Sequence, residues 1–237
     1  MDGLPRDAAG IGALADPLRH QLYQFVCSQL APVSRDQAAH ALGIAHHQVK
    51  FHLDRLEAEG LLESDYARLT GRSGPGAGRT SKLYRRARRD IAVSLPRREY
   101  ELAGRLMAEA IAGSAATGVS AVEVLHQIAH DYGRAIGDTA VTDGRHTPAD
   151  AESALELAAA VLTEHGYQPR RIDGEMQLAN CPFHALAQQQ TELACGMNHA
   201  LICGLAEALT PHSPHARLDP QPERCCVVLT SSAAPKP

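Results

Sequence analysis

The 237-residue sequence lacks several features that would place it in well-defined classes of protein. It has no apolar run near the roughly 20 residues that a membrane-spanning helix needs. Its first residues, MDGLPRDAAG, do not have the basic-then-apolar order of a secretory signal. It also has no nucleophile elbow, catalytic-triad order or cofactor fingerprint. We therefore expect a cytoplasmic protein that has no membrane partner and is not an enzyme.

Cysteine is scarce in most of the chain, because the first 180 residues contain only Cys27, whereas five cysteines lie between residues 181 and 226. Cytosolic cysteines are more often metal-binding, reactive or buried than paired in disulfides. Charge is uneven as well. Residues 1–95 hold 13 basic and 10 acidic residues, a net charge of +3, and residues 96–237 hold 10 and 17, a net charge of −7. This asymmetry predicts two modules, with any polyanionic partner at the front.

The front module shows three helical patterns in succession. The stretch DPLRHQLYQFVCSQL predicts the first helix, and VSRDQAAHALGI predicts a short second one. Ser34 is suited to cap the start of the second helix, and Gly43 is suited to the turn after it. In the third, IAHHQVKFHLDRLEAEGLL, Val49, Leu53 and Leu56 share one face. This spacing is typical of a helix-turn-helix.

The polar side of the third helix supplies candidates for contacting DNA. The N-terminal turns of a recognition helix enter the major groove, where basic side chains meet phosphates or guanine and glutamine meets adenine. The candidates are His46, His47, Gln48, Lys50, His52 and Arg55. The alternative interpretation is a plain three-helix bundle with a solvated polar face.

Two predicted strands, LLESDYARLT and SKLYRRA, follow the third helix and flank the loop GRSGPGAGR. The loop is rich in glycine, carries Arg72 and Arg79, and contains no acid. Such a loop can straddle a phosphate backbone as a wing, and Lys82 on the second strand is a further candidate contact. Glycine-rich loops also hold nucleotides, but this one lacks the Walker spacing and a following helix.

The sequence HHQVKFHLDRLEAEGLL, followed by GRSGPGAGRTSKLYRRA, resembles the winged helix-turn-helix of ArsR-like bacterial transcriptional regulators. The resemblance covers residues 12–90 and is closest to the subgroup that includes the repressor of the SUF iron–sulfur assembly operon. It implies a homodimer that binds double-stranded operator DNA in a sequence-specific manner. Repression of transcription is the expected outcome, and activation stays an alternative.

The remaining patterns complete an α+β fold of three parts. We expect a winged helix-turn-helix DNA-binding domain over residues 1–95, a helical linker over 96–145 and a small sensor domain over 146–237. The linker helices, REYELAGRLMAEAIAG and SAVEVLHQIAHDYGRAIG, are amphipathic and suit either dimerisation or an intrachain core. In the sensor domain, Asp173-Gly174 predicts a β-hairpin between YQPRRI and EMQLAN.

The cysteines of the sensor domain can meet only if the helix between them is broken. One straight helix from Cys181 to Cys195 would separate their backbones by ~21 Å. The stretch from Gln188 to Thr191 offers a break, with Thr191 as the cap of a new helix. Cys225 and Cys226 lie at the predicted start of a strand, where neighbours point to opposite faces. Only one of the two is therefore expected to face the site.

Three converging cysteines and a fourth donor would hold zinc or an iron–sulfur cluster. The candidate ligands are Cys181, Cys195, Cys225, Cys226 and His184, with His199 as a further alternative for the fourth donor. Cys27 and Cys203 are interpreted as core residues.

The segments CPFHALA, CGMN, GL and CCV resemble the C-terminal signature of the same subgroup. Its SUF-repressor members hold an iron–sulfur cluster through cysteines of this region, which implies such a cofactor on Cys181, Cys195 and Cys225. Cyanobacterial members have another cysteine between the last two, and residues 206–224 contain none. Zinc, a metal-free thiol-redox sensor and a small-molecule sensor therefore remain alternatives. A further alternative, from a different functional class, is an enzyme that uses a Cys–His pair such as Cys181 and His184.

Overall fold

The computed structural model describes residues 3–67, 80–142, 147–221 and 224–231. The chain forms two compact units, residues 1–93 and residues 94–237. Each unit combines helices with a small antiparallel sheet, which confirms the expected α+β class. The helical segment over 96–145, expected as a separate linker, belongs instead to the second unit. No helix in the described part of the chain is long and apolar enough to cross a membrane.

The first unit begins with a helix that the sequence patterns did not predict, and the predicted helices follow it. Its elements are α1 (Gly3–Ala13), α2 (Pro17–Ser28), β1 (Val33–Ser34), α3 (Arg35–Leu42), α4 (His46–Ala58), β2 (Leu62–Ala67) and β3 (Ser81–Arg86). Ser34 caps α3 through a reciprocal pair of hydrogen bonds with Gln37. Gly43 ends α3 with a φ of 64°, a conformation that favours glycine. Both predicted helix boundaries are confirmed.

The core of the first unit lies between α2, α4 and the sheet. The three strands are antiparallel in the order β1-β3-β2. Leu22 from α2, Leu53 and Leu56 from α4 and Tyr84 from β3 are completely buried. Packing of this apolar side leaves the opposite side of α4 facing outward.

The second unit contains five helices and four strands among its described residues. They are α5 (Tyr100–Thr117), α6 (Ala121–Thr142), α7 (Ala151–Glu164), β4 (Pro169–Ile172), β5 (Glu175–Leu178), α8 (His184–Gln189), α9 (Thr191–Ala208), β6 (His215–Leu218) and β7 (Val227–Thr230). The strands form one antiparallel sheet in the order β4-β5-β7-β6. Asp173 and Gly174 join β4 to β5, both with positive φ, so the predicted hairpin is confirmed.

Helices α6 and α9 pack so closely that only glycine fits at their contact. A Cβ atom added at Gly133 would overlap the backbone carbonyl of Leu201, and one added at Gly204 would overlap the carbonyl of His130. Glycine permits this approach because it has no side chain. The backbone of α9 therefore rests directly on that of α6.

The predicted break between the cysteine-bearing helices is present, because α8 ends at Gln189 and α9 begins at Thr191. The predicted capping role of Thr191 is wrong. Its hydroxyl donates to the carbonyl oxygen of Ala187 across 2.7 Å, and α9 has no side-chain N-cap bond. The short helix begins at His184, three residues after Cys181.

Candidate functional site

The outward side of α4 carries most of the residues predicted to contact DNA. His46, His47, Gln48, Lys50 and Arg55 are all exposed. His46 contacts the exposed carboxylate of Asp36 across 3.0 Å, and Arg55 pairs with Glu59 one helical turn later. None of the exposed residues of α4 is acidic. The helix therefore presents a neutral-to-basic surface.

His52 departs from this pattern and is buried, with only 8% of its surface exposed. It lies three residues after Val49 and one residue before Leu53, so it falls on the packed side of α4. The prediction that it contacts DNA is therefore not supported by its position. Its imidazole instead meets the ring of Phe51 edge-on, with centroids 5.2 Å apart.

Lys82 is also placed differently from the prediction, because it is engaged inside the first unit. Its ammonium group contacts Glu57 and lies 3.1 Å from a carboxylate oxygen of Asp54, and its side chain is only 15% exposed. Burial lowers the pKa of Lys82, but hydrogen bonds to Glu57 and Asp54 outweigh it, so the net shift is upward. Lys82 therefore stabilises the packing of β3 on α4.

Two further residues extend this polar network. The hydroxyl of Tyr84 donates to Asp54 across 2.6 Å, and the Arg35 guanidinium reaches both Asp54, at 2.7 Å, and the Tyr84 hydroxyl, at 2.9 Å. Burial, followed by the bond to Asp54, raises the pKa of Tyr84 to about 12. The network joins α3, α4 and β3, and so holds α4 in a defined orientation. The predicted wing residues Arg72 and Arg79 lie outside the described residues.

In the second unit, three separate segments bring four cysteines to one place. Cys181 lies between β5 and α8, Cys195 lies in the second turn of α9, and Cys225 and Cys226 directly precede β7. The backbone amide of Cys225 donates to the Leu178 carbonyl across 2.8 Å, which places it beside the end of β5. Strand pairing and the helix break thus bring the four cysteines together.

The four thiols form a chain of side-chain contacts. The Cys181 side chain interacts with that of Cys225, Cys225 with Cys226, and Cys226 with Cys195. Cys225 and Cys226 both take part in this chain of contacts, although strand alternation predicted that only one of them would face the site. The two residues precede the strand rather than lying in it, so strand alternation does not apply to them. We call these four residues the thiol cluster.

Cys225 is the acceptor at the centre of the thiol cluster. Hydrogen bonds from Cys181 and Cys226 lower the pKa of Cys225 well below its usual value, against the effect of burial. The amides of Val227 and Asn198 act in the same direction. Donation to Cys225, and then burial, raises the pKa of both Cys181 and Cys226. Of the thiols in this chain whose pKa is shifted, Cys225 is therefore the one with a lowered value.

Two buried polar residues that the sequence reasoning missed hold Cys225 in place. Asn198, three residues after Cys195 on α9, donates its side-chain amide to Cys225 Sγ across 3.1 Å. The hydroxyl of Tyr167 donates in turn to the Asn198 carbonyl oxygen across 2.5 Å. The only sequence signal for this arrangement is an asparagine one helical turn from a cysteine.

A second polar clamp fixes the backbone at Cys181. The Arg98 guanidinium donates to the carbonyl oxygen of Cys181 across 2.6 Å and to the side chain of Asn180 across 2.9 Å. Asn180 is buried, and its amide donates to the carbonyl of Gly166 across 2.5 Å. The loop before α8 is therefore ordered by side chains on both sides.

The predicted histidine ligands do not join the thiol cluster. His184 is exposed at the first residue of α8, and no described contact links its imidazole to a thiol. His199 lies near the Ala216 carbonyl at 3.2 Å and the Cys203 thiol at 3.4 Å. Cys203 packs against the core of the second unit, as expected, and Cys27 in α2 is partly buried.

Among the described residues, no three His, Cys, Asp or Glu side chains are placed so that they could hold a metal ion as they stand. All six cysteines are free. The donor set nevertheless suits zinc or an iron–sulfur cluster, since four sulfurs from one site are their usual ligands. Binding would require the thiols to release their protons.

No protein-family model, curated protein or solved structure matches this chain.

Proposed function

We propose that this chain is a DNA-binding transcriptional regulator of the kind its sequence resembles, whose second unit senses metal or redox state. The observation that carries the sensor role is the gathering of Cys181, Cys195, Cys225 and Cys226, from three segments of the fold, into one contact group. A fold that needed these cysteines only as apolar filling would not have to link all four in one chain of contacts.

The DNA-binding role rests on the order of elements in the first unit. A short helix, α3, is followed by α4, whose outward side is exposed and free of acids, and then by the β2–β3 hairpin. This order supports the proposed winged helix-turn-helix, in which α4 would enter the major groove. His47, Gln48 and Lys50 stand in its first two turns and are the residues we assign to base and phosphate contacts.

An iron–sulfur cluster is the cofactor we assign to the thiol cluster, and it would supply a centre that responds to oxidants and to the supply of iron and sulfide. Cys181, Cys195, Cys225 and Cys226 would hold it. Asn198 would keep its hydrogen bond to the Cys225 sulfur, and the Arg98 clamp would keep the Cys181 loop in place. Three of the four sulfurs lie on buried residues, which limits the access of water.

The fold offers a route from the thiol cluster to the rest of the second unit. Cys195 is carried by α9, and α9 touches the backbone of α6 at Gly133 and Gly204. A change at Cys195 that shifts α9 must therefore move α6 as well. In a homodimer, such a movement would alter the spacing of the two DNA-binding units. Half-sites one helical turn apart on DNA have centres about 34–36 Å apart, so a dimer with a different spacing would bind them more weakly.

The test combines metal analysis with DNA binding. Protein purified without oxygen should contain iron and sulfide, or zinc, and Cys181→Ser and Cys225→Ser should lose them. Cys203→Ser is the matched control, because Cys203 lies on α9 but contacts His199 instead of the cluster. Equal metal content in wild type and all three variants would refute the metal centre. Failure to select any duplex from a random pool would refute the regulator.

A second candidate, a metal-free thiol-redox sensor, is favoured by one observation, which is the contact among free thiols around Cys225. Oxidation by a peroxide would join two of the thiols in a disulfide, with reduction of the oxidant to water. Mass analysis distinguishes it from the first candidate: metal-free, fully regulated protein with a reversible loss of two hydrogen atoms would favour the thiol switch.

The remaining alternative, an enzyme that uses a Cys–His pair, has little support in the positions of these residues. His184 does not reach the Cys181 thiol in the described contacts, and burial is the main cause that raises the pKa of Cys203 beside His199. A nucleophilic cysteine needs a lowered pKa and access to substrate. We therefore propose that the protein has no catalytic activity.

A further inference from the structure

Helix α4 exposes one large apolar side chain in the middle of its polar surface. Phe51 is the sixth residue of the helix, and 65% of its surface is exposed. On a helix, His47 precedes it by one turn and Arg55 follows it by one turn, so the three form a single stripe. Gln48 and Lys50 flank this stripe. Phe51 therefore lies at the centre of the surface that we assign to the major groove.

The ring of Phe51 has a defined position. It packs against the imidazole of His52 at an interplanar angle of 79°, and His52 is itself buried. The network below α4 neutralises its two inner carboxylates, since Arg35 and Lys82 pair with Asp54, and Lys82 also contacts Glu57. An approaching polyanion thus meets an aromatic ring framed by neutral and basic groups.

The surroundings of Phe51 favour a nucleic-acid contact over a protein contact. Its exposed neighbours His47, Gln48, Lys50 and Arg55 are polar, so on α4 itself no continuous apolar patch surrounds it of the kind that protein interfaces use at their centre. In the major groove, the one apolar feature of the base edges is the 5-methyl group of thymine, which phenylalanine can contact.

We propose that Phe51 is a specificity-determining residue that contacts the 5-methyl group of a thymine in each operator half-site. This inference rests on the proposed DNA-binding function. It adds a chemical requirement to that function, because each half-site must contain at least one thymine. The protein recognises this thymine by its methyl group and not by its hydrogen-bonding groups.

The experiment uses the full-length protein and duplexes selected by it from a random pool. Each thymine of the selected site is replaced in turn by deoxyuridine, which removes only the methyl group. At one position in each half-site, the replacement should weaken binding of the wild type by about fourfold, the equivalent of one buried methyl-sized group. Phe51→Ala should bind the thymine site about fourfold more weakly and show no further loss with deoxyuridine.

Leu30→Ala is the matched control, because Leu30 is a fully exposed apolar residue of the same unit that lies outside α4. It should respond to deoxyuridine as the wild type does. Phe51→Leu keeps an apolar contact and should retain part of the discrimination. Because Phe51 is largely exposed, unfolding midpoints of all variants should agree with that of the wild type.

Three results would overturn the inference while the proposed function stands. The wild type could bind thymine and deoxyuridine duplexes equally at every position. Phe51→Ala could keep the full loss at the same position. Sedimentation could show that Phe51→Ala alone dissociates an oligomer, which would make Phe51 a self-association contact. Failure of the wild type to select any sequence would instead refute the proposed function, and the inference with it.

Discussion

The side-chain amide of Asn198 donates a hydrogen bond of 3.1 Å to Cys225 Sγ, and both residues are almost completely buried. This bond links α9 to the start of β7, and the Tyr167 hydroxyl completes the arrangement on the other side of Asn198. A buried donor or acceptor that loses its partner costs about 1–3 kcal/mol. Asn198 therefore couples the stability of the second unit to the state of Cys225.

Asn198→Leu should destabilise the second unit by about 1–3 kcal/mol, because it leaves the Tyr167 hydroxyl without its partner. Tyr167→Phe should cost about 1 kcal/mol by itself. The double variant should be less destabilised than the sum of the two, since both partners are then apolar. Denaturant unfolding of the four proteins gives the coupling energy. Strict additivity would show that the two side chains do not act as a pair.

Gly133→Ala should destabilise the second unit by about 1–3 kcal/mol or more, because the added methyl group overlaps the Leu201 carbonyl and forces α6 away from α9. Gly104→Ala is the control. Gly104 lies inside α5 with nothing within 4 Å of the added carbon, so it should gain up to about 1 kcal/mol from better helix propensity. Thermal unfolding measures both, and equal effects would refute the close helix contact.

Metal loading should protect Cys195 from alkylation and leave Cys203 reactive. Both residues lie on α9 and are only partly buried, but Cys195 belongs to the thiol cluster, whereas Cys203 contacts His199. We expect the alkylation rate of Cys195 to fall at least about tenfold when metal is bound. Metal at a hundred-fold excess over its dissociation constant leaves only about one protein molecule in a hundred without metal. Mass spectrometry of labelled peptides reports both rates. Equal protection of the two would point to a global effect.

Lys82→Met should weaken DNA binding without changing its salt dependence, because Lys82 is paired with Asp54 and Glu57. Lys50→Ala should instead reduce the slope of log affinity against log salt by about 0.9, the value for one lost phosphate contact. Titrations at four salt concentrations measure both slopes. A slope change in Lys82→Met equal to that of Lys50→Ala would place Lys82 on the DNA.

The first unit should lose stability as pH falls below about 4. Burial raises the pKa of Asp54 and Glu57. Hydrogen bonds from Tyr84, Arg35 and Lys82 outweigh this effect at Asp54, and hydrogen bonds from Lys82 and Ser64 outweigh it at Glu57, so both pKa values are lowered on folding. A carboxylate whose pKa is lower in the folded state than in the unfolded state stabilises the fold at pH values above its unfolded-state pKa. This stabilisation is lost as the pH falls through the folded-state pKa.

Asp54→Asn should therefore flatten this acid response, and Asp90→Asn, whose carboxylate is 95% exposed, should leave it intact. Hydrogen exchange of α4 and β3 between pH 3 and 6, corrected for intrinsic rates, measures the response in the unit itself. An unchanged response in Asp54→Asn would exclude the network as its source.

Several parts of the fold were predictable because they depend on neighbouring residues. The cap at Ser34, the turn at Gly43, the hairpin at Asp173-Gly174 and the end of α8 all follow from local backbone chemistry. The capping role of Thr191 was wrong because its hydroxyl found the Ala187 carbonyl one turn back, a bond that competes with capping.

The site was predictable only in part. The convergence of the thiols was expected if the helix broke, but the inclusion of both Cys225 and Cys226 was not, because the pattern could not show that β7 begins after them. Lys82 and His52 carry polar side chains that composition alone assigns to the surface. Tertiary packing gave Lys82 two carboxylates and placed His52 against the core.

The amino-acid sequence by itself determined the succession of helices and turns, the concentration of cysteine near the C-terminus and the apolar stripe of α4. These properties depend on residues within a few positions of one another, where backbone preference and periodicity act. Only the tertiary structure decided that Asn198 meets Cys225, that α9 rests on α6 through Gly133, and that Lys82 turns inward. Such contacts join residues far apart in the chain, and their partners are selected by packing and by the need of buried polar groups for hydrogen bonds.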